Sequence, residues 1–139
     1  MTYLLDTPVV SELVRPEPNA GVTSWVEEQV EASLFLSVLT LGELAKGVAR
    51  LPPSRRRERL ASWLQQDIVA RFEGRVLPVT AEVARRWGEL DARALDAGTP
   101  LPAVDGLLAA TALVHRLAVV THNSRHFAPT GVEVVDPWR

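Results

Sequence analysis

The sequence predicts an α/β protein in which a parallel sheet is covered by helices on both faces. Short apolar segments alternate with longer amphipathic ones from end to end of the chain, which is the pattern of repeated β-α-β units. Of the 139 residues, 47% are hydrophobic and 23% are charged, so the composition indicates a folded chain rather than a disordered one. At this length we expect a single domain over residues 1–139.

The first half of the chain carries two predicted strands. Apolar runs bounded by turn residues are typical of buried parallel strands, and the first two cover residues 3–5 and 34–38. Thr7 is a good helix cap, and Pro8 suits the first helical position because its missing N–H is not needed there. Amphipathic spacing and helix-ending residues predict helices over 8–15, 19–30, 40–50 and 54–74.

The second half continues the alternation. A short strand over 76–79 contains Pro78, which places it at an edge or an end. Thr80 caps a long predicted helix that stops at Gly98, and an almost wholly apolar helix spans 103–117. A strand over 118–121, a loop over 122–129 and a last strand over 132–135 complete the predicted order.

Charge and composition exclude several classes of function. The net charge of −2 gives no global basic field, so nucleic-acid binding would have to use a local patch. The absence of cysteine excludes disulfides, thiolate zinc sites and cysteine nucleophiles. The N-terminus lacks the layout of a signal peptide, and charged residues interrupt the most apolar segment, so we expect a cytoplasmic protein with no membrane association.

Asp6 is the first candidate site residue because it directly follows a buried strand. Open α/β sheets bind ligands at the carboxyl ends of their strands, and a carboxylate there is costly unless something pairs with it. The structural alternative is an acid that caps the next helix or favours its dipole. Thr7 and Pro8 already provide a helix start, so the sequence favours a functional role for Asp6.

Three further polar residues are candidates, each with a structural alternative. Glu43 fits a capping box with Thr40, and taken alone this structural interpretation is the stronger one. Asp105 lies in the first turn of the apolar helix, where the helix dipole offers an alternative, but small residues one and two turns on favour a shared cavity. Asn123 follows a strand at the same predicted edge as Asp6, although asparagine is common there as a turn residue.

The histidines and the arginine run favour structural interpretations. His122 and His126 are four residues apart and could both bind zinc on a helical face, but surface histidines are the preferred interpretation. His115, on the apolar helix, is predicted to be a core histidine with a hydrogen-bond partner. The cations of residues 55–59 predict a solvated helix face, and they also form the densest cluster available to a phosphate backbone or an acidic partner.

Four segments together resemble the PIN-domain family, and within it the VapC-like toxins of bacterial toxin–antitoxin pairs. Tyr3–Leu13 resembles the family's opening strand and helix, and Leu36–Leu44 the segment that carries its second acid. Pro102–Ala112 is similar to the third acidic segment and Val120–Phe127 to the fourth, while Val134–Trp138 resembles the family's ending. The motifs occur in order over nearly the whole chain.

The resemblance implies a fold, an activity and partners. The fold would be a three-layer α/β/α sandwich, and the protein a magnesium- or manganese-dependent endoribonuclease toxin with an RNA substrate, a cognate antitoxin and a homodimeric state. Asp6, Glu43 and Asp105 would be the acidic metal ligands, with Asn123 in the fourth catalytic position. Crowded carboxylates repel one another, and an all-oxygen ligand set favours Mg²⁺ or Mn²⁺ over zinc, in agreement with this assignment.

Two positions depart from the family pattern. Pro8 stands where an asparagine usually helps to order the site, and it offers no side-chain hydrogen bond. His126 stands where an aspartate often precedes the phenylalanine. The departure at Pro8 leaves a second hypothesis open, in which the chain is a catalytically weak or inactive PIN-like module that binds RNA or a protein partner.

Overall fold

The computed structural model describes all 139 residues and contains one five-stranded sheet in which every strand pair is parallel. The strands are β1 (Tyr3–Leu5), β2 (Leu34–Ser37), β3 (Val76–Leu77), β4 (Ala118–Val120) and β5 (Val134–Val135). Their order across the sheet is β3-β2-β1-β4-β5. This parallel sheet with helices on both faces confirms the predicted α/β/α sandwich.

Helices fill the connections between the strands. They are α1 (Thr7–Glu12), α2 (Ala20–Glu28), α3 (Val38–Ala49), α4 (Arg55–Ser62), α5 (Val69–Arg71), α6 (Ala81–Asp96), α7 (Ala103–His115) and α8 (Ser124–Phe127). A wider π-helical segment over Trp63–Ile68 joins α4 to α5, and short 3-10 turns cover Glu31–Ser33 and Ala128–Thr130. None of these helices combines the length and apolar character that crossing a bilayer requires.

The sheet separates two apolar cores, and β1 contributes to both. Successive side chains of a strand point to opposite faces, so Leu4 enters one core and Leu5 the other, each fully buried. The core beneath α6 and α7 includes Leu4, Val83, Leu90, Leu108, Val119 and Phe127. The opposite core, beneath α1 and α2, includes Leu5, Val9, Val22, Val26, Ile68 and Phe72. Strands buried on both faces explain the uninterrupted apolar runs in the sequence.

The chain changes direction across the sheet at β1. From β1 it passes to β2 and β3 on one side, and β4 and β5 then lie on the other side. Leu5 pairs with Val120 in the β1–β4 register, so both strands end at the same edge. The carboxyl edge at such a switch point is where open α/β sheets bind ligands. The residues that follow β1 and β4 therefore meet where a site is expected.

A close approach of α6 and α7 fixes the helix that carries Asp105. Gly106 faces Trp87 of α6, and a Cβ at this glycine would lie only 3.1 Å from the indole ring. The missing side chain lets the two helices pack along each other. Asp105 thereby starts from a helix that is held firmly against the sheet.

Several sequence predictions about local structure are wrong. Helix α3 begins at Val38 with Ser37 as its cap, two residues before the predicted start, and the buried Thr40 hydroxyl has no hydrogen-bond partner. The predicted loop over 122–129 contains α8. His115 is exposed rather than in the core, because it lies in the last turn of α7 at the surface.

Candidate active site

Asp6 occupies the position between β1 and α1, and the fold buries it almost completely. Its side chain and backbone are only 3% exposed, and its N–H extends the sheet by donating to the Val120 carbonyl at 2.9 Å. Oδ1 accepts from the Thr7 backbone N–H at 2.8 Å, and Oδ2 accepts from the Thr121 hydroxyl at 2.7 Å. Asp6, not Thr7, is thus the N-cap of α1, which corrects the sequence interpretation.

The environment of Asp6 disfavours its charged form. Burial raises the pKa of this carboxyl to about 6, against the two hydrogen bonds from Thr121 and Thr7, which lower it. The negative charges of Asp105 and Glu43 raise the pKa further. No arginine or lysine contributes to stabilising the carboxylate. The fold therefore brings Asp105 and Glu43 within electrostatic range of Asp6 and supplies no arginine or lysine to any of the three acids.

Glu43 reaches the site from α3 and is held by α1. The Thr7 hydroxyl donates to its Oε1 at 2.5 Å, so Glu43 does not form the predicted capping box with Thr40. Thr7 thus bridges two acids, because its backbone N–H donates to Asp6 and its hydroxyl to Glu43. The structure favours a site role for Glu43 over the helix-capping role that the sequence alone favoured.

Asp105 enters from the first turn of α7. Its side chain is 18% exposed, and its Oδ2 lies 2.7 Å from Nδ1 of His126. Ala109 and Ala112, one and two turns on, are fully buried, as expected for small residues that allow close packing behind the carboxylate. Asp105 therefore faces the site while its helix packs in the core.

Asn123 lies beside this cluster, but its side chain does not join it. The residue is exposed, and its side chain makes no hydrogen bond. Its backbone N–H donates to the Thr121 hydroxyl at 3.0 Å, the same hydroxyl that holds Asp6. Two hydrogen bonds through the Thr121 hydroxyl thus link Asn123 to Asp6, and Asn123 takes part through its backbone alone.

Sequence reasoning missed three residues that support the acids: Thr7, Thr121 and His126. Thr7 was interpreted as a helix cap and Thr121 as the end of a strand, whereas their hydroxyls hold Glu43 and Asp6. For His126 the sequence favours a surface histidine at a position that departs from the family pattern, whereas its ring contacts Asp105. The sequence does offer one indication for Thr121, because a hydroxyl residue directly after a strand at this edge of the sheet is placed to contact the acids there.

The three acids are chemically suited to a divalent cation. Their donor atoms are carboxylate oxygens, which hard cations prefer, and neither Asp6 nor Glu43 has an ion-pair partner. Burial raises the pKa of Asp6, the neighbouring acids raise it further, and no cation opposes these effects. In the present side-chain positions no three acidic or histidine groups form a complete ligand set. Asp6, Glu43 and Asp105 could hold an ion together with water.

Comparison with known proteins identifies relatives over nearly the full chain. The profile of the PIN domain matches residues 3–131. The chain is 35% identical to the VapC ribonuclease Y4jK of Sinorhizobium fredii over 135 residues, which cover 97% of this chain and 96% of that protein. It is 38% identical to the toxin FitB of Neisseria gonorrhoeae, with 97% of both chains covered.

A solved structure gives the same result for the fold. The crystal structure of FitAcB from Neisseria gonorrhoeae superposes with a TM-score of 0.94 at 37% sequence identity. The superposition covers 99% of each chain. The strand order and the two helical layers therefore belong to a fold that is shared with this solved structure.

Proposed function

This chain belongs to the PIN-domain family, and we propose that it is a ribonuclease toxin of the VapC type that hydrolyses RNA phosphodiester bonds at the edge where β1 and β4 end. Ribonuclease and toxin are the names of its relatives at 35–38% identity over nearly full length. The observation that carries the site assignment is the buried Asp6 carboxyl, whose pKa is raised to about 6 beside two other acids. That arrangement costs stability, and a catalytic cation explains why it exists.

Divalent-metal dependence is general for PIN-domain ribonucleases of this type. We assign Mg²⁺ or Mn²⁺ as the cation, because the proposed donors are all oxygens. When bound, such a cation neutralises charge on the phosphodiester and lowers the pKa of bound water. Asp6 and Asp105 are the proposed principal ligands, directly or through water.

The remaining polar residues have supporting roles in this proposal. Glu43, held by the Thr7 hydroxyl, orients the water that attacks phosphorus. Thr121 keeps Asp6 turned toward the site through the hydrogen bond to Oδ2. Asn123 is exposed beside the acids and is positioned to donate an amide hydrogen bond to the RNA backbone. Pro8 needs no side-chain hydrogen bond here, because Thr7 and Thr121 order Asp6.

A cognate antitoxin is the partner that this family membership assigns. The antitoxin would cover the acidic edge and keep RNA out of it. The homodimer implied by the resemblance is part of the same proposal, and light scattering of the purified chain tests it.

The activity is tested with the purified full chain and a labelled single-stranded RNA. We expect cleavage with Mg²⁺ or Mn²⁺, none with a chelator, and none in Asp6→Asn or Asp105→Asn. Glu89→Gln, a carboxylate change at an exposed position of α6, is the matched control and should cleave normally. Cleavage that survives the chelator would contradict the metal assignment. RNA binding without cleavage under every condition would favour the inactive module instead.

A further inference from the structure

We propose that His126 is a positioning residue, which holds the Asp105 carboxylate in the orientation that takes a divalent cation. This inference rests on the proposed function, because it assigns a support to one of the proposed metal ligands. His126 stands outside the set of acids, and its contact with Asp105 joins α8 to α7 directly at the site.

Asp105 depends on this contact more than Asp6 depends on any single partner. Asp6 is held by both the Thr7 N–H and the Thr121 hydroxyl, whereas Asp105 makes one side-chain hydrogen bond, to Nδ1 of His126 at 2.7 Å. A carboxylate that lacks partners rotates among several rotamers, so one strong hydrogen bond decides where its oxygens point. Because the bond engages Oδ2, Oδ1 has no hydrogen-bond partner and is available to a ligand.

The backbone of His126 is anchored by a buried neighbour and by a hydrogen bond within its own short helix. The next residue, Phe127, is fully buried in the same core as Leu108 of α7, and the His126 backbone N–H donates to the Asn123 carbonyl at 3.0 Å. The imidazole itself is 46% exposed and makes no hydrogen bond other than the one to Asp105. Because the backbone of His126 is anchored and its ring makes one hydrogen bond, the ring can orient the Asp105 carboxylate.

The chemistry of the contact identifies which ring nitrogen of His126 donates the hydrogen bond. A carboxylate only accepts hydrogen bonds, so Nδ1 carries the proton in this contact. An asparagine at position 126 places an amide nitrogen near the location of Nδ1, and a glutamine places it near Nε2. The asparagine can therefore replace the contact, and the glutamine serves as a matched polar variant that cannot.

The experiment is a calorimetric titration of the purified full chain with Mn²⁺, repeated with His126→Ala, His126→Asn and His126→Gln. Loss of a partner that orients a ligating group typically weakens metal binding by about 10–100-fold, and we expect this weakening for the alanine and glutamine variants. The asparagine variant should recover most of the affinity. For the alanine and glutamine variants, RNA cleavage should be slow at low Mn²⁺ concentration and should increase at saturating Mn²⁺, because metal binding is the step that the substitution weakens.

His122→Ala is the matched control, because this histidine lies on the same segment and its Nδ1 pairs with Asp136 rather than with one of the three acids. It should bind Mn²⁺ as the unaltered chain does. Equal or tighter Mn²⁺ binding by His126→Ala would overturn the inference, and so would equal recovery by glutamine and asparagine. If the alanine variant fails to fold, the asparagine–glutamine comparison decides. Failure of the unaltered chain to bind Mn²⁺ is a distinct result that overturns the proposed function itself.

Discussion

Two acidic residues, Glu31 and Asp6, lie at opposite edges of the sheet. Their surroundings shift their pKa values in opposite directions. Glu31 precedes β2 at the amino edge, where Arg71 and Arg75 contact its two carboxylate oxygens at 2.9 and 3.0 Å. Burial alone raises the pKa of Glu31, but hydrogen bonds and charges from the two arginines outweigh it and hold the pKa below its usual value. Asp6, at the carboxyl edge, has no such cation, and its pKa is raised to about 6.

Under the proposed function, this difference distinguishes Glu31 as a structural acid from Asp6 as a catalytic one. Arg75 also donates to the backbone carbonyls of Glu31, Leu34 and Arg71, and its guanidinium lies over the Phe72 ring. The amino edge is therefore completed by groups of the chain itself. The carboxyl edge supplies hydroxyls and one imidazole but no arginine or lysine, and in the proposed function an external cation completes it.

The largest expected effect concerns catalysis. Asp6→Asn should lower the rate of RNA cleavage by about a thousandfold, because roughly 4 kcal/mol of transition-state stabilisation is lost with a metal ligand. Glu31→Gln at the other edge should leave the rate unchanged. Single-turnover cleavage assays with excess Mg²⁺ measure both variants. A similar loss in the two variants would remove the functional distinction between the edges.

The same substitution should stabilise the fold in the absence of divalent cations. The folded state binds a proton at Asp6 more tightly than the unfolded state, so unfolding free energy falls as pH rises from about 4 to about 6. A shift from 3.8 to about 6 corresponds to roughly 3 kcal/mol. Asp6→Asn, which stays neutral, should gain up to about this amount above pH 6 and nothing below pH 4.

Urea unfolding at pH 4 and pH 7.5, with a chelator present, measures this gain. Glu31→Gln is again the comparison, and it should lose stability at pH 7.5 because its arginines lose a charged partner. An Asp6→Asn variant that is less stable than the unaltered chain at pH 7.5 would mean that the Asp6 carboxylate is compensated after all.

A smaller effect is expected at the amino edge. Arg75→Ala leaves backbone carbonyls without donors in a side-chain position that is only 16% exposed, and should lower the unfolding free energy by about 2 kcal/mol. Its Mn²⁺ affinity should be unchanged, because the substitution lies away from the acids. Arg75→Lys keeps the charge and loses the planar array of donors, so it should restore only part of the stability. Weakened Mn²⁺ binding in Arg75→Ala would show that the edges are coupled.

The sequence predicted the fold and the position of Asp6 because both depend on local signals. Apolar runs mark strands buried on both faces, and an acid directly after the first strand must lie at its carboxyl end. The partners of the acids depend instead on how distant elements pack. The Thr7 hydroxyl meets Glu43 across 36 positions, and the Thr121 hydroxyl meets Asp6 across 115. No periodicity encodes such pairings.

Local ambiguity explains the remaining errors. Ser37 and Thr40 are both good caps, and the end of β2 selects Ser37, which leaves Glu43 free to meet Thr7. His115 lies on a helix that is apolar nearly all round, so its spacing did not show that the last turn emerges at the surface. The short helix α8 has too few residues for a periodic signal, although it carries His126 into the site.

The carboxyl ¹³C resonance of Asp6, followed through a pH titration with and without Mg²⁺, tests the central claim most directly. Without the cation, the midpoint should lie at about 6. Saturating Mg²⁺ should move it to lower pH, because a bound cation favours the charged carboxylate. A midpoint near the ordinary aspartate value, or one that Mg²⁺ does not move, would contradict the conclusion that this edge of the sheet is a cation site.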